Sequence, residues 1–143
     1  MLLKKAMVMN DCIFCKIINK EISANIIYED DKTVAFLDNN PVNEGHTLVI
    51  PKKHFKNILE MDKEHLDAVF ETVQRIAEVV KDGVNADGFN IKMNNFKAAG
   101  QVVFHAHVHI VPRFENDGYT LWQGKGISEE ESSEVLAKIK EKL

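Results

Sequence analysis

The sequence predicts an α+β fold built on an antiparallel sheet, and three observations carry that expectation. Short β-branched or apolar runs follow one another with only turn-prone residues between them. One long segment repeats its apolar residues at helical spacing, and a second helical pattern closes the chain. Strands that mostly adjoin strands favour an antiparallel arrangement over a βαβ one. At 143 residues, with 45% hydrophobic and 28% charged residues, the composition is that of one globular domain with a core of ordinary size.

Taken in order, "DCIFCKIINKE" reads as a short helix opened by Asp11. The runs "IIYEDD", "TVAFLD" and "HTLVIPK" follow as three strands of a meander, punctuated by Asp30-Asp31 and by "DNNPVNEG". From Asp62, the residues Leu66, Val69, Phe70, Val73, Ile76, Ala77 and Val80 define one helical face, which "KDGVNADG" ends. "FNIKMN" and "VFHAHVHIVPRF" are two more strands joined by "NFKAAGQ", making five. Ser128 and Glu131 form a capping box for the last helix, with Val135, Leu136 and Ile139 on one face.

A formal charge of −4 gives no global field for a nucleic-acid backbone, so direct nucleic-acid binding is not expected. Lys52, Lys53 and Lys56 are a local patch that reads as a solvated strand end. No signal-type apolar segment opens the chain and no window of about 18 apolar residues follows, so no membrane partner is expected and the cytoplasm is the expected location. The two cysteines of "CIFC" are too close to staple a fold; in a reducing compartment that spacing points to metal or redox chemistry.

Half of the six histidines stand in "FHAHVHIVPRF". On a strand, every second residue faces the same way and lies about 6.6 to 6.8 Å further along, so His105, His107 and His109 share one face. Phe104, Ala106, Val108 and Ile110 take the other, which is free to pack on a helix. Such a row serves either metal binding or nucleophilic catalysis by imidazole. Same-face residues on one strand diverge, so at most one or two of the three reach a single ion with bonds of about 2.0 to 2.1 Å.

With these residues in view, "HAHVHIV" resembles the signature of the histidine triad (HIT) superfamily of nucleotide hydrolases and transferases. "CIFCKIINKEI", "YEDDKTVAFLDNNPVNEGHTLVIPKKH" and "AGQVVFHAHVHIVPR" follow the family pattern in order, over most of residues 12 to 113. The resemblance implies a HIT-like fold with two main helices. It divides the chain into an N-terminal extension (1–11), a core (12–115), and a C-terminal loop and helix (116–143) packed on the same domain. Met1, Met7 and Met9 all precede the match, so any of them is compatible with it as a start.

By the same resemblance, His107 is the nucleophile, its second ring nitrogen oriented by a backbone carbonyl of its own strand. His109, His46, Asn94 and Gln101 match positions near the phosphate and are able to donate to it. Asp38 matches the acid that binds the ribose, and Phe14, Ile17 and Phe36 match the slot around the base. Asn39 stands where an apolar residue is common beside that acid. Val102 stands where relatives often carry Ser or Thr, so hydroxyl assistance to a leaving group is absent.

The resemblance also implies a structural zinc on Cys12, Cys15, His54 and His105, with no catalytic metal. A homodimer is implied, with a tail around Trp122 approaching a neighbouring site. The expected substrate is a purine nucleotide or a nucleotidylated small molecule, cleaved at the α-phosphorus through a nucleotidyl-histidine. Adenosine phosphoramidates and aminoacyl-adenylates are the first candidates. A diadenosine polyphosphate hydrolase and a nucleotide-binding regulatory module are the alternatives.

Overall fold

The computed structural model describes residues 11–143. The expectations for the N-terminal extension and the natural start lie almost wholly outside these residues. Helix α1 spans Ile13–Ile18, and strands β1 (Ile26–Glu29), β2 (Thr33–Leu37) and β3 (Thr47–Pro51) follow it. The long helix α2 (Lys63–Gly83) precedes β4 (Gly88–Lys92) and β5 (Val108–Arg113), and α3 (Glu129–Lys140) comes last. All pairings are antiparallel, in the order β1-β2-β3-β5-β4. The meander is continuous through β3; α2 then carries the chain to the far edge, and β5 returns inside to pair with both β3 and β4.

Both faces of the sheet centre are covered, which is why β2 and β3 read as continuous apolar runs without alternation. On one face, Ala35, Val49, Val108 and Ile110 pack with Val69, Val73, Ile76, Ala77 and Val80 of α2. On the other, Val34, Phe36, Leu48 and Ile50 pack with Phe14, Cys15 and Ile17 of α1. Asp62 caps α2 by accepting from the His65 amide, as its position before the helical run suggests.

Two local expectations are corrected. Cys12, not Asp11, caps α1: its Sγ accepts from the Cys15 amide at 3.3 Å. β5 begins at Val108, because the chain before it is held to the segment after β3. The Ala106 backbone amide donates to the Phe55 carbonyl at 2.7 Å, and the Gln101 side-chain Nε2 donates to the Lys56 carbonyl at 2.6 Å. Ala106 therefore enters the core as expected, while Phe104 remains half exposed at 50%.

Residues 116–143 differ from the core in exposure. Tyr119 is anchored through its hydroxyl to the Val42 carbonyl, but every residue from Leu121 onward is exposed. The capping box of Ser128 and Glu131 forms as expected. Its helix does not pack on the domain, and Val135, Leu136 and Ile139 are 45%, 52% and 58% exposed. Amphipathic spacing marks a face to be covered without specifying what covers it. Among the described residues, no helix is long and apolar enough to cross a membrane.

Candidate active site and metal centre

His107 sits one residue before β5, buried, with the edge of the Phe14 ring against it at a centroid distance of 5.2 Å. Its Nδ1 lies 2.7 Å from the His105 carbonyl. A carbonyl only accepts, so Nδ1 carries the proton and Nε2 keeps its lone pair. Burial pushes the His107 pKa down, outweighing the opposing effects of that carbonyl and of Asp38. The ring is thus held neutral, in one tautomer, with its nucleophilic nitrogen free.

Beside it, a chain of hydrogen bonds fixes two more tautomers. Gly45, at φ +83°, turns the backbone into β3 where a Cβ would come within 2.9 Å of Val84 Cγ1, so only glycine fits. The next residue, His46, accepts the Val42 amide on Nδ1 at 3.0 Å. Its proton therefore lies on Nε2, which donates to His109 Nδ1 at 2.9 Å. His109 must in turn carry its proton on Nε2, and that atom is buried without a partner. A buried donor left unpaired calls for an explanation, and a ligand oxygen is one. His109 is pushed down to about 4, chiefly by burial and then by the neighbouring imidazoles.

Asp38 follows β2 and donates its own amide to the His46 carbonyl at 2.9 Å. Its carboxylate stands half-buried at the rim, with one oxygen 3.6 Å from His46 Nε2 and the other accepting from the Asn40 amide. Asn39 is exposed. Phe14, Ile17 and Phe36 are buried at 4–6%, as members of the core cluster beneath the histidines. They form an apolar wall there.

Of the expected phosphate donors, the structure brings His46 and His109 together with His107. Asn94 instead donates to the Gly100 carbonyl at 3.3 Å, in the loop between β4 and β5. Gln101 is held by bonds within the protein. Both hydrogens of its amide are committed to the Lys56 and Val103 carbonyls, and its oxygen accepts from Phe96. It braces the loop that presents His107. Val102 is 85% exposed and offers no donor. The Val42 amide and His105 carbonyl, which set the tautomers, are backbone groups and leave no mark in residue type.

A second cluster lies on the other side of Phe14, whose ring also meets that of His105 at 5.9 Å. Cys12, Cys15, His54 and His105 each present one ligand atom, all within 4.8 Å of one another. The Sγ to Nδ1 separations are 3.3, 3.4 and 3.6 Å, and the two Nδ1 atoms are 3.1 Å apart. A tetrahedral ion with bonds of about 2.0–2.1 Å to nitrogen and about 2.3 Å to sulfur sets its ligand atoms roughly 3.3 to 3.8 Å apart. The donor set fits.

His105 Nε2 donates to the Pro51 carbonyl at 2.8 Å, which leaves Nδ1 aimed at the cluster as a ligand requires. Burial holds His105 down to about 4 and His54 below its usual value, so both imidazoles are neutral. Burial and then Cys12 push the Cys15 thiol up to about 12, a state that a bound cation would reverse.

A small α+β domain with a neutral, tautomer-fixed histidine row and a Cys2His2 cluster at its end defines a protein of the histidine triad type. The profile of the HIT domain family matches residues 19–116, and the chain belongs to that family. An uncharacterized HIT-like protein of Methanocaldococcus jannaschii is 48% identical over 129 residues, covering 90% of this chain and 98% of its own length. The adenylylsulfatase HINT3 of Arabidopsis thaliana is 37% identical, covering 94% of this chain and 70% of its own.

Among solved structures, a Streptococcus mutans protein superposes with a TM-score of 0.86 at 42% identity, covering 93% of this chain and 85% of that one. A zinc-bound histidine triad family protein of Mycobacterium smegmatis gives 0.75 at 36% identity, covering 94% and 99%.

Proposed function

We propose that this protein hydrolyses nucleotidyl compounds at the α-phosphorus through a nucleotidyl group carried on His107 Nε2. The observation that carries this reading is the pairing of a free lone pair on His107 with the unpartnered, buried N–H of neighbouring His109. One atom is fit to attack phosphorus, the other to hold a non-bridging oxygen as its charge grows. Because His46 fixes the His109 tautomer, that donor is oriented before substrate arrives. Asp38, at the rim, accepts from the ribose hydroxyls. The activity that the Arabidopsis relative is named for, cleavage of an adenylyl bond, supports the same chemistry.

The Cys12, Cys15, His54 and His105 cluster holds zinc, which ties α1 to the ends of two strands and enters no chemical step. Thiols used as metal ligands suit the reducing cytoplasm. A second copy joins at the β4 edge, where Phe89 and Ile91 are both 40% exposed and Ile91 lies beside Phe70 of α2, giving a homodimer.

Two results are expected. In a panel of adenosine phosphoramidate, lysyl-adenylate and diadenosine polyphosphate, at least one compound is cleaved to AMP with kcat/KM of roughly 10⁴ M⁻¹s⁻¹ or more. Activity on none of them sinks the hydrolase reading and leaves a binding module. The pH dependence has a definite sign. Attack needs neutral His107, and neutral His109 is needed to accept from His46. Both are depressed below the ordinary value of 6.5. The kcat/KM profile is therefore flat through neutrality and falls only as acid protonates these rings below that value. A fall already under way between pH 8 and 7 contradicts the assignment.

A further inference from the structure

The groups around His107 form a row across the sheet. Asp38 ends β2, His46 enters β3, His109 lies on β5, and Lys92 is the last residue of β4. Lys92 pairs directly with His109 in the antiparallel register. Directly opposed residues project from the same face with Cβ atoms about 4.5–5.5 Å apart, so the Lys92 side chain rises on the face that carries the histidines. Among the described residues its ammonium makes no hydrogen bond or ion pair, whereas Lys20, Lys32, Lys52, Lys53, Lys63 and Lys81 all have carboxylate partners. Its charge reaches the site, being among the causes that depress both His46 and His109.

The row is therefore polar end to end: a carboxylate, two imidazoles and a cation. A nucleotide whose ribose lies at Asp38 and whose α-phosphate lies at His109 leaves its far side toward Lys92. We propose that Lys92 is a specificity-determining residue that receives the anionic leaving group of a nucleotidyl mixed anhydride, a sulfate, phosphate or carboxylate joined to the α-phosphorus through oxygen. This rests on the hydrolase reading above and narrows its substrate class.

Proton balance supports the same choice. His107 Nε2 forms the N–P bond while the P–O bond to the leaving group breaks, and that bond's electron pair stays on the departing oxygen. Such an oxyanion leaves without a proton. Water then adds its oxygen to phosphorus, its proton passes to solvent, and the N–P pair returns to Nε2. An amine leaving group would need a proton at departure. The segment leading to His107 offers no side chain to give one, since Gln101 is committed on all sides and Val102, Val103 and Phe104 carry none.

The test compares Lys92→Met and Lys92→Arg with the unaltered protein. The ratio of kcat/KM for adenylyl sulfate to that for adenosine phosphoramidate should fall about tenfold in Lys92→Met and return to within about threefold in Lys92→Arg. Equal loss on both substrates, or no loss, overturns the assignment. A binding arm separates this from failure of the hydrolase reading. ADP should bind the unaltered protein more tightly than AMP, and Lys92→Met should erase that preference. If neither substrate is cleaved but the ADP preference still depends on Lys92, it is the hydrolase reading that fails, and Lys92 keeps only its contact with the group beyond the α-phosphate. An unchanged ADP to AMP ratio, or no binding of either, overturns it.

Discussion

Replacing His107 by Ala should lower kcat by about 10⁴-fold or more, while AMP binding stays within about threefold and metal content is unchanged. The size of the effect follows from what is removed. Nε2 is the only ring nitrogen of the row shown to be both unprotonated and free, because Nδ1 of His46 and of His109 already accepts a hydrogen bond. Binding survives because the donor on His109 and the carboxylate of Asp38 are untouched by the change. The ring edge lost against Phe14 is a packing contact, so a modest drop in stability is expected alongside. Steady-state kinetics with AMP titration and metal analysis separates these effects. Unaltered turnover refutes the nucleophile, and lost metal would mean that the triad acts as one metal site.

The second large effect concerns the metal. Stripping it with a strong chelator should lower the thermal midpoint by more than about 10 °C and release the α1 segment first. The cluster brings Cys12 and Cys15 of that segment to His54 after β3 and His105 before β5, so an ion held there would cross-link parts distant in sequence. Without it, two buried cysteines, the buried imidazole of His105 and the half-buried one of His54 face one another with little compensation. Rebinding must draw the proton off Cys15, whose thiol burial otherwise holds up to about 12. Calorimetry in buffers of different ionisation heat therefore reads proton release on metal uptake. A protein as purified that holds no metal, yet has the same midpoint before and after chelation, contradicts a structural ion.

The elements were legible where local chemistry fixes them. The helical spacing from Leu66 to Val80 and the Asp62 cap place α2 almost to the residue, and the Ser128 and Glu131 pair does the same for α3. The legible part of the site was its residue types at fixed spacing: the alternating histidines, the CxxC pair and the acid after "TVAFL". What was not legible depended on partners distant in sequence. Gln101 is a polar loop residue in any one-dimensional view, and only the Lys56 and Val103 carbonyls reveal it as a brace. Phe14, Ile17 and Phe36 are apolar whether they line a slot or fill a core. Strict alternation across the triad was also too simple, since the strand begins only at Val108 and the bend before it sends His105 toward the cysteines.

The central claim is a covalent bond from His107 Nε2 to the α-phosphorus. Rapid acid-free quenching of the protein during turnover of a radiolabelled adenylyl substrate, followed by digestion and mass spectrometry at alkaline pH, tests it directly because a phosphorus–nitrogen bond survives base. One adenylyl group per active chain is expected, on the peptide containing His107 and absent from His107→Ala. Turnover with no labelled peptide in a single-turnover experiment fast enough to precede hydrolysis, or label on another residue, would contradict it.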